Sequence, residues 1–340
     1  MQKKSKIKVG LIGFGYWGPN LARNFANSSL YSLEYISDLN KSRLDLAAEL
    51  YPNLVVTTSH DEVISSKNVD LVAIATPVFT HYELVKKSLF GDKHVFVEKP
   101  FTYTSKQADE LIKLADQKRK IVMVDHTFLF TGAVKKIKEM VDSGALGSIY
   151  YYDSMRVNLG LFQGDVNVVW DLAPHDFSIM DYLVGKTPIS ISACGAVHYS
   201  NGKEDVSYIT AFYDNNLIAH FNVNWLSPVK IRQTLIAGDK SMVVWDDLQT
   251  DAAVKVYDRG VEITEKDGIY NLMASYRMGQ MYAPVIKHVE ALAEEIKYLA
   301  ECINTGVQPF NNASSGRRIV RMLEVTNESL AKKGVPVAFD

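Results

Sequence analysis

Three groups of residues in this sequence have the types and spacing for acid–base and cofactor chemistry. In Val95-Phe96-Val97-Glu98-Lys99-Pro100, an apolar β-branched run leads straight into a carboxylate, an ammonium and a proline. The run reads as a buried strand. Ending it on Glu98 and Lys99 is unfavourable unless both charges meet partners in a cleft at the strand's C-terminal edge. Pro100 stops the strand and restricts Lys99 to extended geometry. In Trp170-Asp171-Leu172-Ala173-Pro174-His175-Asp176, Asp171 and His175 stand four apart and share one face of a helix. Asp171 is the expected N-cap and Pro174 falls in the expected first turn. His175 then lies near the positive end of the helix dipole, which disfavours imidazolium and keeps the ring available as a base.

The third group, Gly13-Phe14-Gly15-Tyr16-Trp17-Gly18, directly follows the short apolar strand Ile7–Ile12. It precedes a helical stretch with Pro19 in its first turn and Leu21, Ala22 and Phe25 on one face. Gly13 allows the tight turn, Gly15 lets the backbone approach a pyrophosphate, and Gly18 lets helix and strand pack closely. A second strand, Leu33–Ser37, ends on Asp38, where an acid accepts hydrogen bonds from ribose hydroxyls and repels a 2′-phosphate. The dinucleotide is therefore NAD rather than NADP, and the nearby Lys41 and Arg43 read equally well as a solvated helix face. With NAD as hydride acceptor, alcohol oxidation needs a base for the hydroxyl proton and a cation or donor near the oxygen. Lys99 and His175, from different domains, are expected to meet at the domain interface with the nicotinamide between them. The residues leave open which of the two is the general base.

Placing these groups requires a strand–helix framework. An apolar strand at Asp70–Ala75 ends in Thr76-Pro77. A helix follows at Tyr82–Leu89, then the Val95–Val97 strand, a helix over Ser105–Lys118 and a strand at Ile121–Val124. Such alternation predicts a parallel sheet with right-handed crossovers. From about Ser148 the pattern changes. Ile149–Val157 is β-rich, a helix covers Leu172–Val184, and alternating strands follow at Ile189–Tyr199, Val206–Tyr213, Leu217–Trp225, Ile231–Gly238 and Ser241–Trp245, with a shorter one at Ala253–Tyr257. Leu217, Ala219, Phe221, Val223 and Trp225 share one face, with Ile218, His220, Asn222 and Asn224 on the other. Turns at Tyr213–Asn216 and Ala237–Lys240 predict an antiparallel meander. Two helices, Pro284–Asn304 and Ser314–Lys332, close the chain and are expected to pack back toward the first domain.

The expected fold is an α/β Rossmann domain with a parallel doubly wound sheet (1–125), joined to an α+β domain with a large, mostly antiparallel open sheet (126–340). An open face rich in aromatic residues predicts a homo-oligomer, a dimer or tetramer joined through that face. At 340 residues, 47% hydrophobic and 22% charged, the chain has the composition of a globular two-domain protein rather than a disordered one. A net charge of −2 without a basic tract argues against nucleic acid as a partner. Cys194 and Cys302 form no metal-binding spacing, which predicts no metal and a reducing cytoplasm. No stretch of eighteen apolar residues predicts a membrane span, and the glycine-rich Val9–Phe14 is unlike a signal peptide.

Gly13–Gly18, Thr76-Pro77 with His81, Glu98-Lys99-Pro100, and Asp171 with His175 together resemble the Gfo/Idh/MocA family of sugar and inositol oxidoreductases across essentially the whole chain. The resemblance implies Lys99, Asp171 and His175 as the catalytic set and a cis Pro100. It places Thr76, Pro77, His81 and Glu98 at the cofactor site beside Gly13, Phe14, Gly15, Tyr16, Trp17, Gly18, Asp38, Lys99 and His126. Gly15–Asn20, Asp125–Phe130 and Arg156–Gln163 with Asp165–Val168 are similar to the branch that oxidises C3 of nucleotide-linked N-acetylhexosamines, such as UDP-N-acetylglucosamine or its uronic acid. That branch supplies 3-keto sugars to a PLP aminotransferase for surface glycans. Asp125 departs from the small residue, often glycine, expected before the histidine. Arg156, Asn158, Asn167, Trp170 and Tyr276 are the candidate substrate contacts, with Arg156 suited to a phosphate or a C6 carboxylate. The alternatives are an NAD-dependent dehydrogenase of inositol, a free sugar or a sugar phosphate, and a non-catalytic NAD(H)-sensing regulator.

Overall fold

The structure is a computed structural model that describes residues 5–160, 164, 166–199, 202–267 and 271–339, with the backbone alone across 261–276. The chain divides into two compact units, Met1–Phe130 with Val289–Arg321, and Thr131–His288 with Met322–Asp340.

The first unit alternates strand and helix: β1 (Ile7–Ile12), α1 (Gly18–Asn27), β2 (Tyr31–Ser37), α2 (Lys41–Leu50), β3 (Val55–Thr57), α3 (His60–Ser65), β4 (Leu71–Ile74), α4 (Val78–Phe90), β5 (His94–Glu98), α5 (Ser105–Lys118) and β6 (Val122–Asp125). The sheet order is β3-β2-β1-β4-β5-β6, and every pair is parallel. The order reverses between β1 and β4, so a crevice opens at the carboxyl ends of those two strands. Leu71–Ile74 and Val95–Val97 are buried throughout, as strands covered on both faces must be. The apolar pattern alone did not separate α2, β3 and α3. It also started α4 late, because the helix begins immediately after Pro77 rather than at Tyr82.

The second unit continues with α6 (Gly132–Asp142), β7 (Ile149–Leu159), α7 (Val168–Val184), β8 (Ser190–Ala196), β9 (Val206–Phe212), β10 (Ile218–Asn224), β11 (Leu226–Gly238), β12 (Met242–Asp246), β13 (Val254–Asp267) and β14 (Asn271–Tyr282). The chain then forms α8 (Ala291–Thr305), which belongs to the first unit, followed by α9 (Ala313–Ala331) and β15 (Val337–Ala338). The large sheet runs β14-β13-β12-β11-β7-β10-β9-β8-β15. It is antiparallel except where β7 lies between β10 and β11 and pairs in parallel with β10. A simple meander is thus interrupted, since β7 fills the place beside β10 that β11 would take.

Leu217, Ala219, Phe221, Val223 and Trp225 are all buried, and Phe177 of α7 meets Phe221 edge-on with ring centroids 4.8 Å apart. Tyr208 and Ile218 stand exposed on the opposite face. In the first unit, α8 is fastened by the Tyr31 hydroxyl, which donates to Ile296 O at 2.6 Å, and by Arg23 on Glu290 at 2.7 Å. It starts at Ala291 rather than Pro284. Among the described residues no helix is long and apolar enough to cross a membrane.

Candidate functional site

In the first unit the candidate site is the rim at the carboxyl ends of β1, β4, β5 and β6. The chain leaves β1 at Gly13 with φ +98°, where a Cβ would stand 2.4 Å from Ala75 O. At Gly18 a Cβ would lie 2.3 Å from Gly13 O, so only glycine lets α1 start this close to the strand. A Cβ on Gly15 would meet nothing nearer than the Arg43 guanidinium at 3.4 Å, which leaves that side of the turn open. α2, α3 and α5 are capped by the side chains of Asn40, Ser59 and Thr104. α1 and α4 start at Trp17 and Pro77 with no side-chain cap and no acid in the first turn. Asn20 N of α1 and Thr80 N of α4 turn back onto Trp17 O and Pro77 O, and the positive ends of both helix dipoles lie on this rim.

Asp38 completes this half of the site. Its Oδ2 accepts from Phe14 N at 2.7 Å and its Oδ1 from Asn40 N at 2.8 Å, so the acid is aimed by the backbone while each oxygen keeps a lone pair for a hydroxyl. Tyr16 is 89% exposed, and Trp17 turns its indole inward. Open backbone at Gly15, two uncapped helix starts and an aimed carboxylate match the pyrophosphate and ribose of a dinucleotide. The residues present therefore fit NAD.

On the β4–β6 side the Lys99–Pro100 peptide is cis. Lys99 N donates to its neighbour Glu98 Oε2 at 3.0 Å. Burial, then the adjoining Asp125, push the Glu98 carboxyl well above the usual carboxylate range. Thr76 and Thr80 share a hydrogen bond between their hydroxyls at 2.6 Å. His81 is wholly buried, with Nδ1 2.9 Å from Pro100 O and Nε2 2.8 Å from Thr76 O. Its ring ties the turn after β4 to the turn after β5, which makes it a brace rather than the cofactor contact expected. His126 is also buried, both its ring nitrogens lack hydrogen-bonding partners among the described residues, and desolvation pulls it down to about 4.

In the second unit α7 begins a turn earlier than its sequence suggests. Asn167 is the N-cap and accepts from Trp170 N at 3.2 Å, so Asp171 does not cap the helix, although it stays in the first turn. Pro174 is interior and His175 lies beyond the first turn, where the dipole argument for its neutrality weakens. Asp171 and His175 keep their shared face. The Asp171 Oδ2 accepts from Trp225 Nε1 at 3.0 Å, which ties the start of α7 to the end of β10. Asp176, next to His175, accepts from Arg156 Nε at 2.6 Å, Arg156 Nη2 at 3.1 Å and Ser154 Oγ at 2.9 Å, all of them buried.

Two expected substrate contacts are therefore corrected. The Arg156 guanidinium faces Asp176 in a buried bidentate pair rather than a phosphate or carboxylate. Asn167 caps α7 and donates to Glu204 and Asn327. Asn158 is partly exposed near the end of β7, and Trp170 is buried on α7. The Tyr276 side chain and residues 161–163 and 165 lie outside the described residues. Asp176, Trp225 and Glu295 were missed, because each meets its partner across elements far apart in the sequence. The one local signal was the second acid of His175-Asp176.

Residues 7–126 match the GFO/IDH/MocA family described as "Oxidoreductase family, NAD-binding Rossmann fold", and residues 134–244 match its C-terminal domain. The chain is 24% identical to UDP-N-acetylglucosamine 3-dehydrogenase of Acidithiobacillus ferrooxidans, covering 92% of this chain and 94% of that one. It is 24% identical to myo-inositol 2-dehydrogenase of Thermotoga maritima, covering 96% and 97%. The solved structure of the Acidithiobacillus enzyme superposes with a TM-score of 0.82 at 22% identity, over 96% of this chain and 99% of the other, a likeness of fold.

Proposed function

The chain belongs to the GFO/IDH/MocA family of oxidoreductases with an NAD-binding Rossmann fold, and from that premise we propose that it oxidises a secondary alcohol of a sugar to a ketone. The substrate is C3 of a UDP-linked N-acetylhexosamine or its uronic acid. Bound NAD supplies the hydride acceptor. The observation that carries the reading is that the chain carries both an NAD cradle, in the first unit, and a fastened Asp171–His175 face, in the second. A sensor of NAD(H) needs the first and has no use for the second.

In this reaction His175 takes the hydroxyl proton, and Asp171, four residues earlier on the same face, orients and supports the imidazolium that forms. Lys99 donates to the substrate oxygen as negative charge develops on it. The choice of a nucleotide sugar is supported by the residue pattern of Arg156–Val168 and by the end-to-end relationship to the Acidithiobacillus enzyme. The product, a 3-keto sugar, suits a PLP aminotransferase as the next step. The exposed Tyr208 and Ile218 on the open face of the large sheet suit burial against a second copy of the chain.

The equal identity to an inositol dehydrogenase makes inositol the second reading. A panel containing UDP-N-acetylglucosamine, its uronic acid, myo-inositol and free sugars, followed by NADH absorbance, separates the two. It is repeated with a 2-oxo acid as acceptor in case NADH stays bound. Turnover of a UDP sugar is the expected result, and turnover of inositol alone overturns the nucleotide-sugar assignment.

A further inference from the structure

The end of β6 carries a buried acid, Asp125, whose partners all belong to the first unit. It is 2% exposed and stands beside Glu98 in the parallel register of β5 and β6. Its Oδ2 accepts from Trp17 Nε1 at 2.8 Å, and its Oδ1 accepts from Thr127 N at 3.2 Å and from the Thr127 hydroxyl. Trp17 is the residue from which α1 starts, and its carbonyl accepts the N–H groups of Asn20 and Leu21. Through one indole hydrogen bond, the end of β6 thus grips the glycine-rich turn that faces the pyrophosphate.

Two more carboxyl groups adjoin Asp125. Glu295 of α8 is fully buried, and its Oε1 accepts from His126 N at 3.2 Å and Asn311 Nδ2 at 2.9 Å. Among the described residues no donor reaches its Oε2, and Asp125 and Glu98 are its neighbouring carboxyl groups. Two ionised carboxylates cannot hydrogen-bond, so the contact is favourable only when Glu295 carries a proton and donates it to Asp125. Glu98, whose Oε2 accepts from Lys99 N, lies opposite Asp125 in the register of β5 and β6. Burial, then Asp125, push both glutamic acids well above the usual range. The other charged or titratable groups facing the cluster are Lys99 at the end of β5 and His126 at the start of the Thr127–Phe130 turn. The residue preceding α1 contributes the Trp17 indole to it. Among the described residues no group of three His, Cys, Asp or Glu is arranged to hold a metal ion.

We propose that Asp125 is the positioning residue of the cofactor cradle, fixing the glycine-rich turn through Trp17, and that Glu98 and Glu295, as its proton donors, make NAD binding proton-linked. As pH rises and the glutamic acids ionise, three adjoining carboxylates repel, the hold on Trp17 loosens, and NAD affinity falls. By linkage, NAD binding in that range takes up protons. The proposal is independent of which alcohol is oxidised.

The test is titration of NAD onto the cofactor-free full chain, followed calorimetrically in two buffers of different ionisation enthalpy and by Trp fluorescence. Asp125→Ala weakens NAD binding by about tenfold or more, Trp17→Phe does the same, and the double variant loses no more than either single one. Trp17→Phe keeps the aromatic bulk and removes only the donor, so it carries the test alone if Asp125→Ala does not fold. Glu295→Gln keeps a neutral donor beside Asp125. It leaves affinity at neutral pH within about twofold, while reducing the proton uptake and the alkaline loss of affinity. A purely structural role would lower thermal stability without moving proton uptake. Losses that multiply in the double variant, an affinity within about twofold of the parent in both single variants, or proton uptake unchanged in Glu295→Gln overturn the proposal.

Discussion

The two units bury their key carboxylates by opposite means. In the second unit Asp176 faces a permanent cation: Arg156 and Asp176 are 4% and 3% exposed and joined by two hydrogen bonds. Guanidinium does not lose its proton in proteins, so this pair holds α7, and with it the Asp171–His175 face, over the whole working pH range. In the first unit Asp125 faces two carboxyl groups and is served by protons that the solvent can remove. The difference suits the work of each. The helix bearing the proposed base must hold one orientation, whereas the cradle must take up a charged dinucleotide.

The sharpest break in this comparison would be a failure of binding and chemistry to separate. Lys99→Ala and His175→Ala should each cut kcat by a factor on the order of 10³. NAD affinity, measured by titration, should stay close to the parent's. Parallel loss of NAD affinity in His175→Ala would sink the assignment of that helix to proton transfer. Next in size is the buried ion pair. Asp176→Asn leaves a buried guanidinium without its counter-charge and should destabilise by about 3–5 kcal/mol in denaturant unfolding. Arg156→Met combined with Asp176→Leu should recover most of that stability, and a double variant as unstable as the single one would refute the account.

The contrast in pH response is a smaller effect with a definite sign. Glu98 and Glu295 have raised folded-state values, so their protonated contacts stabilise fully below the usual glutamate range and lose that contribution as pH rises. The slope is at most about 1.4 kcal/mol per pH unit for each group. His126 is held down to about 4, so the folded state gains stability as pH climbs from there through the ordinary histidine range. Through the ordinary histidine range the His126 gain opposes the loss from the two glutamic acids, so the falling limb of melting temperature against pH should be steepest above that range. Glu295→Gln should flatten the falling limb alone, and curves that superimpose would show that the cluster does not titrate with folding. The smallest effect belongs to the rim. Arg43 lies 3.5 Å from Asp38 and is half exposed. Removing it in Arg43→Ala should change NAD affinity by no more than about fivefold, within the 1 kcal/mol of an exposed pair, with NADP affinity read alongside.

Much of this was legible in the chain because it depends on neighbours in sequence. α5 spans Ser105–Lys118 as expected, with Thr104 and Gln107 forming a capping box. The alternation of Leu217–Trp225 divides into buried and open faces as its period requires. Asp38 stands where the end of β2 should put a ribose acceptor, and Lys99–Pro100 is cis as the resemblance implied. In the sequence Arg156 and Asn167 suit substrate contacts because they flank the proposed base. The Arg156 partner, Asp176, appears only when β7 packs against α7, whereas Asn167 caps that helix locally through Trp170 N, three residues on.

By itself the sequence determined the two architectures, the glycine-rich turn, the strand end at Glu98-Lys99-Pro100 and the Asp171–His175 spacing. Each follows from local sterics, hydrophobic period or helical geometry. The tertiary structure alone decided how the carboxylates are neutralised. Asp125 finds Trp17 108 positions back, and Glu295 reaches His126 across 169. Charge partners are chosen by proximity in three dimensions, where burial turns a weak solvated contact into one that must be satisfied by a cation or a proton.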